Sequence, residues 1–253
     1  MLQRTPSGIA YDVAGYGPAV LLLHAGIADH RMWDEVSELL MAAHTVVRPD
    51  LRGFGASPAP DRPFRHIDDV RDVLVAAGVV NATVAGNSFG GRVALDFAGA
   101  YPGRVGRLVV LAASIDGWAW SAEATAFDAA EERALAGGDL AAAMRLNEDV
   151  WVRGPRREWN GELRAIADRL ATPLRTALVN LAETGKFAEP AGAPVPTDVP
   201  TTVAVGLLDL PDFVGMGHEL ARRIPGARLV EFAEAAHLLP LEEPQRVAAL
   251  IGA

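Results

Sequence analysis

The sequence predicts an α/β fold, a mostly parallel sheet flanked by helices, with one all-helical insertion. Three observations carry this expectation. Short apolar runs alternate with amphipathic stretches up to residue 116 and again from residue 197. The runs LLL, VV and LVVL are apolar throughout, as strands buried on both faces must be. Between about Ser121 and Glu183 no strand-like run occurs, only helical periodicity punctuated by Pro and Gly. The expected organisation is an α/β core at 1–116 and 197–253, with a helical cap (lid) at 117–196. A chain of 253 residues is long enough for one large core and such an insertion.

In chain order, Ile9–Val13 and Ala19–His24 read as strands joined by the turn Gly15-Tyr16-Gly17-Pro18. Arg31–Met41 reads as a helix, with Met32, Val36, Leu39 and Leu40 at helical spacing. Thr45–Arg48 is a β-branched strand stopped at Pro49, and Asp50–Pro63 is a Gly/Pro loop. Phe64–Ala77 is a helix that Gly78 can cap. Ala82–Gly86 is a strand, Phe89–Ala100 a helix and Leu108–Ala112 a strand. The insertion holds four helical stretches, the last two being GELRAIADRLA and PLRTALVNLAE, which opens on Pro173, and the connector EPAGAPVPTDVP closes it. The α/β pattern then resumes with a strand at Thr201–Val205, a helix near Phe213–Arg223, a strand at Arg228–Phe232 and a helix at Pro244–Ile251.

Composition excludes several classes. Hydrophobic residues are 50% and charged residues 22%, which excludes a disordered chain, a coiled coil or a collagen-like fibre. The absence of cysteine excludes disulfide scaffolds, Cys-ligated zinc and thiol nucleophiles. A net charge of −9 disfavours nucleic acid and anionic membrane as partners. The N-terminus MLQRTPSGIAYDV has no apolar signal-peptide region, and the run AVLLLHAGIA is too short to span a bilayer. The expectation is a soluble cytoplasmic protein. Oligomeric state is not legible.

The chemistry concentrates at Gly86-Asn87-Ser88-Phe89-Gly90-Gly91, a G-x-S-x-G between an expected strand and an expected helix. A sharp strand-to-helix turn would project the Ser88 hydroxyl, with Gly86 and Gly90 leaving room for it. The helix N-terminus supplies free N–H groups and a positive dipole, and the Phe89 N–H is one oxyanion donor. A serine hydroxyl needs a base. Of six histidines, His237 follows strand RLVEF and the loop AEAA and precedes the last helix, which makes it the best placed. The imidazole needs a carboxylate to fix its tautomer. Asp209 follows the end of strand TTVAV, where catalytic groups gather in parallel sheets, with Asp212 and Asp116 as rivals. His30, His44, His66 and His218 lack metal-ligand spacing, and no G-x-G-x-x-G follows a strand, so neither metal nor dinucleotide cofactor is expected.

The order Ser88, Asp209, His237 is that of the α/β-hydrolase fold, and nearly the whole chain resembles an α/β-hydrolase with a helical cap. Two further segments match. Leu21-Leu22-Leu23-His24-Ala25-Gly26 resembles the His-Gly loop that supplies the second oxyanion N–H, and Asp50-Leu51-Arg52-Gly53-Phe54-Gly55-Ala56-Ser57 resembles a structural loop under the site. The resemblance implies that His24 is structural. Ala25 stands where the family usually has Gly, so Ala25, Gly26 and Ile27 are all candidate second donors, with Gly26 preferred. It implies a serine hydrolase, carboxylesterase-like, acting on a small apolar carboxylic ester or lactone. The same triad would serve a C–C bond hydrolase, whose family resembles this chain at Asn87 but carries Trp where Leu238 follows His237. It would also serve a lyase or a cofactor-free haloperoxidase-like enzyme. Some members of the fold are non-hydrolytic receptors or cyclisation factors.

Four of the five tryptophans, Trp118, Trp120, Trp151 and Trp159, lie in the insertion. An aromatic cap over a serine makes a water-poor pocket, so Trp118, Trp120 and Trp151, with Ala25, Ile27, Asn87 and Leu238, are the expected substrate contacts. Aromatics also pack cap helices generally. Arg153, Arg156 and Arg157 could hold a substrate carboxylate, although such a run more often forms a solvated loop.

Overall fold

The computed structural model describes residues 1–184, 195 and 198–253. Its strands are β1 (Gln3–Arg4), β2 (Ala10–Gly15), β3 (Ala19–Leu23), β4 (Thr45–Pro49), β5 (Ala82–Asn87), β6 (Val105–Leu111), β7 (Thr201–Gly206) and β8 (Arg228–Phe232). They form one sheet in the order β1-β2-β4-β3-β5-β6-β7-β8. The β1–β2 and β2–β4 pairs are antiparallel. Every other pair is parallel, with Leu23 opposite Gly86 and Gly86 opposite Val110. β1 has only two residues, too few for any periodicity, and the sequence gives no sign of it.

The apolar runs divide their side chains between two cores. Leu21 and Leu23 of β3, Val84 of β5 and Val110 of β6 face one side. There they pack with Val70 of α2 (His66–Ala76), Val93 and Phe97 of α3 (Phe89–Ala100) and Met216 of α7 (Pro211–Arg223). Val20, Leu22, Ala85 and Val109 face the other side. Their partners are Val36 of α1 (Asp34–Leu40), Leu241 of α8 (Leu239–Glu242) and Ile251 of α9 (Pro244–Gly252). Period-2 alternation with both faces apolar is what a doubly covered parallel sheet requires. The expected helix at Arg31–Met41 is two pieces, a 3₁₀ turn at His30–Trp33 and then α1.

Between β6 and β7 the described chain is helical: α4 (Ala122–Ala136), α5 (Leu140–Asn147), a π-helical turn at Glu148–Arg153 and α6 (Gly161–Thr184). Ser121 and Asp139 cap α4 and α5 through the amides of Ala124 and Ala142. The two expected stretches, the second of which opens on Pro173, are one helix. Proline costs a helix interior a hydrogen bond. Ile166, Leu170, Leu174 and Leu178 nevertheless keep one buried stripe across it, so packing outweighs the break. The expected connector at Glu189–Pro200 lies largely outside the described residues. No helix among the described residues is long and apolar enough to cross a membrane.

His66 opens α2 with its ring edge-on between Phe64 and Phe89, at 4.7 and 5.0 Å between centroids. Burial, with the charges of His24 and Arg52 adding, pushes its pKa down to about 3. The unfolded chain therefore binds a proton that the folded chain refuses between about pH 6.5 and 3, and stability falls as pH falls through that window. One such proton contributes about 1.4 kcal/mol per pH unit. Urea denaturation should show His66→Gln flattening the decline between about pH 6 and 4.5 by roughly 2 kcal/mol relative to the parent chain.

Candidate active site

β3 pairs with β4 on one side and β5 on the other, so strand order reverses between β3 and β5. Loops leaving the carboxyl ends of such strands diverge and open a crevice. The loop after β3 brings Ala25, Gly26 and Ile27 there, and the turn after β5 brings Ser88.

Ser88 has φ 54° and ψ −116°, in the region unfavourable to side chains with a Cβ. Such a backbone costs about 1–3 kcal/mol and survives only where its surroundings force it. Two glycines are part of that forcing. A Cβ on Gly86 would stand 2.2 Å from the Gly90 carbonyl oxygen, and one on Gly90 would stand 2.3 Å from the Leu23 carbonyl oxygen. The turn is also pinned by its own backbone: the Ser88 N–H donates to the Leu111 carbonyl at 2.8 Å. The hydroxyl therefore stands at the N-terminus of the 12-residue α3.

The Ser88 hydroxyl donates to Nε2 of His237 at 2.8 Å, and His237 Nδ1–H donates to Oδ2 of Asp209 at 2.7 Å. The carboxylate dictates which ring nitrogen carries the proton, and so frees Nε2 to accept. Oδ1 of Asp209 accepts the Leu210 N–H at 2.7 Å. Asp209 and His237 are 1% and 2% exposed, so this relay is shielded from bulk water. Both rivals to Asp209 are engaged elsewhere. Asp212 accepts the Ser121 hydroxyl at 2.6 Å, the Ser121 N–H at 2.8 Å and the Trp118 indole N–H at 3.2 Å. Burial raises its pKa, but the bonds from Ser121 and Trp118 outweigh that and the net shift is downward. Asp116 is held bidentately by Arg92 at 2.6 Å on both bonds.

Of the three candidate second donors, Ala25 has its N–H directed at Sδ of Met32, 3.1 Å away. The Ala28 N–H closes a turn onto the Ala25 carbonyl at 3.0 Å, a bond that uses neither the Gly26 nor the Ile27 amide. Gly26 and Ile27 line the cavity above Ser88 together with Phe89. His24 lies outside this group. It is fully buried, its Nε2 accepts the Leu51 N–H at 2.9 Å, and its Nδ1–H donates to the Ala25 carbonyl at 2.8 Å. Burial lowers its pKa, and the ring serves as a neutral clamp between two loops.

The cavity holds about 250 Å³. Among the expected substrate contacts, Ala25, Ile27 and Trp151 line it. Trp118, Trp120, Asn87 and Leu238 do not line it. Trp118 serves Asp212. Trp120 is 45% exposed, with Phe213 5.8 Å from its ring. Leu238 is in the core. Asn87, also fully buried, donates its side-chain amide to the His237 carbonyl at 3.1 Å. The three arginines do not line the cavity either. Arg156 donates to the Leu207 carbonyl, and Arg153 pairs with Asp149. Arg157 pairs with Glu242 and is mostly buried, not solvated.

Sequence reasoning missed Glu242. Its carboxylate accepts the N–H groups of Ala236 and Leu238, each at 3.0 Å, and so grips the backbone on both sides of His237. The signal available was its place five residues after His237 and two before the last helix. Trp151 and Phe213 pack on the imidazole at 4.6 and 4.5 Å between ring centroids. Glu131 and Asn147, also missed, are the polar residues of the helical wall. Among the described residues one group has metal-like spacing, Asp29, His30 and Asp50. Their atoms serve each other and the chain: Asp29 pairs with Arg31, and Asp50 accepts from His30 and the Ala56 N–H.

A family model described as the alpha/beta hydrolase family matches residues 20–250. An uncharacterised protein of Mycobacterium tuberculosis is 38% identical over 108 residues, 41% of this chain but only 31% of that protein's length. A pimeloyl-[acyl-carrier protein] methyl ester esterase of Chromobacterium violaceum is 30% identical over 238 residues, 89% of each chain. A solved structure of an N-acyl homoserine lactone degrading enzyme superposes with TM-score 0.74 at 26% identity, covering 96% of this chain and 95% of that one.

Covalent labelling with a fluorophosphonate separates the three aspartates. Asp209→Asn should slow labelling of Ser88 by about 10³-fold or more, because the imidazole loses the partner that fixes its tautomer. Asp212→Asn and Asp116→Asn should label within a few-fold of the parent chain. Asp212→Asn should also lower the melting temperature, because it weakens the tie between α7 and the start of α4.

Proposed function

Because the chain belongs to the alpha/beta hydrolase family, we propose that it is a serine hydrolase of small carboxylic esters or lactones, working through Ser88, His237 and Asp209. The observation that carries this reading is the continuous relay of 2.8 and 2.7 Å bonds from a strained, cavity-facing serine to a buried carboxylate. The esterase and lactone-degrading relatives support the same reaction class.

In this mechanism His237 Nε2 takes the Ser88 proton as Oγ attacks the carbonyl carbon. Asp209 stabilises the imidazolium that forms. The Phe89 N–H, at the start of α3, and the Gly26 N–H, with Ile27 beside it, receive the developing oxyanion. One such donor contributes about 3–4 kcal/mol to transition-state stabilisation. His237 then protonates the departing alkoxide, leaving an acyl group on Ser88. Water, deprotonated by the same nitrogen, attacks that acyl group and releases the acid. A lactone differs in that the alkoxide stays tethered to the released acid.

The stretch 117–196 acts as the cap, and 1–116 with 197–253 as the catalytic core. Trp151 and Phe127 from the cap make the cavity apolar, which strengthens each electrostatic contact inside it. The cavity volume favours a short apolar acyl or alkyl chain. A C–C bond hydrolase would use the same Ser88, His237 and Asp209; Asn87, which carries that likeness, commits its side-chain amide to the His237 carbonyl.

A fluorophosphonate probe should label the wild-type chain and fail on Ser88→Ala. A series of p-nitrophenyl esters should give the highest kcat/KM with short acyl chains and fall by about tenfold or more as the chain outgrows the cavity. Folded wild-type protein that neither labels nor turns over any ester would point to the non-hydrolytic receptor class.

A further inference from the structure

Apart from Ser88 and His237, the cavity is lined by apolar residues except at Glu131 and Asn147. Glu131 stands one helical turn after Phe127 on α4, and both face the cavity. Asn147 ends α5 and is 2% exposed. Its side-chain amide donates to Oε1 of Glu131 at 2.6 Å and to the Ala143 carbonyl at 3.0 Å. Those two bonds use both amide hydrogens and fix the carboxylate in place.

Glu131 is 9% exposed, and among the described residues no arginine, lysine or histidine pairs with it. Its Oε2 accepts nothing from those residues. A carboxylate set in a mostly apolar wall beside a neutral amide keeps one oxygen open to a further donor.

We propose that Glu131 selects the substrate: the part of the ester or lactone remote from the scissile carbonyl carries a hydrogen-bond donor, a hydroxyl, amide N–H or ammonium, that the Glu131 carboxylate accepts. The proposal rests on the reading of Ser88 as the nucleophile in the same cavity. A donor satisfies the open oxygen, whereas a terminal carboxylate meets like charge and a terminal methyl leaves the carboxylate unpaired. The volume of about 250 Å³ corresponds to roughly eight water molecules, so the donor sits a short chain away from the ester. Glu131 and Leu181 also border an outer recess, so the polar contact marks the far wall of the inner cavity.

Methyl 6-hydroxyhexanoate, methyl 6-aminohexanoate, methyl heptanoate and monomethyl pimelate share one methylene chain and differ at its far end. The pair 6-hydroxyhexyl acetate and heptyl acetate carries the difference on the alcohol side. Wild-type protein should favour the hydroxyl or ammonium ester over the methyl-ended one by about tenfold or more in kcat/KM, on at least one side, and disfavour the pimelate ester. Glu131→Leu should abolish or reverse the preference. Glu131→Gln, which keeps the size and the Asn147 contact, should lose the ammonium preference and relieve the pimelate penalty.

Calorimetric binding to Ser88→Ala reads the same ranking without turnover. A ranking unchanged in both Glu131 variants, or equal binding of hydroxyl- and methyl-ended esters, would overturn the proposal and leave the esterase reading intact. Selective binding to Ser88→Ala with no hydrolysis by wild type would instead uphold Glu131 and remove the esterase reading.

Discussion

The contact on which the rest depends is the close approach of the β5–α3 turn to the end of β3. Gly90 sits where any Cβ would strike the Leu23 carbonyl, and Gly86 where it would strike Gly90 itself. That compression holds Ser88 at positive φ, aims its hydroxyl out of the turn and starts α3 directly beneath it. The strain is tolerable because both strands are locked in a parallel ladder buried on two faces. The switch in strand order brings Gly26 and Ile27 to the same cavity as Ser88, so the proposed nucleophile and amide donors meet without any long loop having to search for them.

The proposed base, His237, is held differently, by convergence. His237 lies on a loop, yet its surroundings leave it little freedom. Asp209 takes Nδ1, Asn87 takes its carbonyl, Glu242 takes the amides on either side, and two aromatic rings cover its faces. A loop fixed at that many points behaves like a rigid element, which a general base requires because proton transfer tolerates little positional error. Several of these contacts come from segments far apart in the chain, so the geometry exists only once the sheet has formed.

Much of this was legible in the residues. Strands that bury both faces have runs that are apolar throughout, so LLL of β3, VV of β4 and LVVL of β6 announced themselves. The elbow is a local motif whose glycine spacing has a steric cause. Boundaries that depend on packing were less legible: α6 runs through Pro173 because its apolar stripe is continuous, and β1 is too short to show a period. At the site, Ser88, Asp209 and His237 came together as anticipated. The aromatics did not all follow. Trp118 and Trp120 sit in the right stretch of sequence but pack against α7, because composition says which residues are near a site and not which way they point. Glu131, Asn147 and Glu242 carry no motif. Their meaning arises from what stands across from them in space.

The pairing of Arg157 with Glu242 bears on how separable the helical region is from the sheet beneath it. Glu242 grips the His237 backbone, Arg157 grips Glu242, and Trp151 lies on the imidazole itself. Two side chains of the helical region are therefore parts of the support of His237. Exchanging that region for one from another protein, as in a chimera built to alter specificity, would remove both unless they were grafted along with it. Under the proposed function the helical region between β6 and β7 is not an interchangeable module: recombination at its ends would alter the rate of the chemistry as well as the choice of substrate.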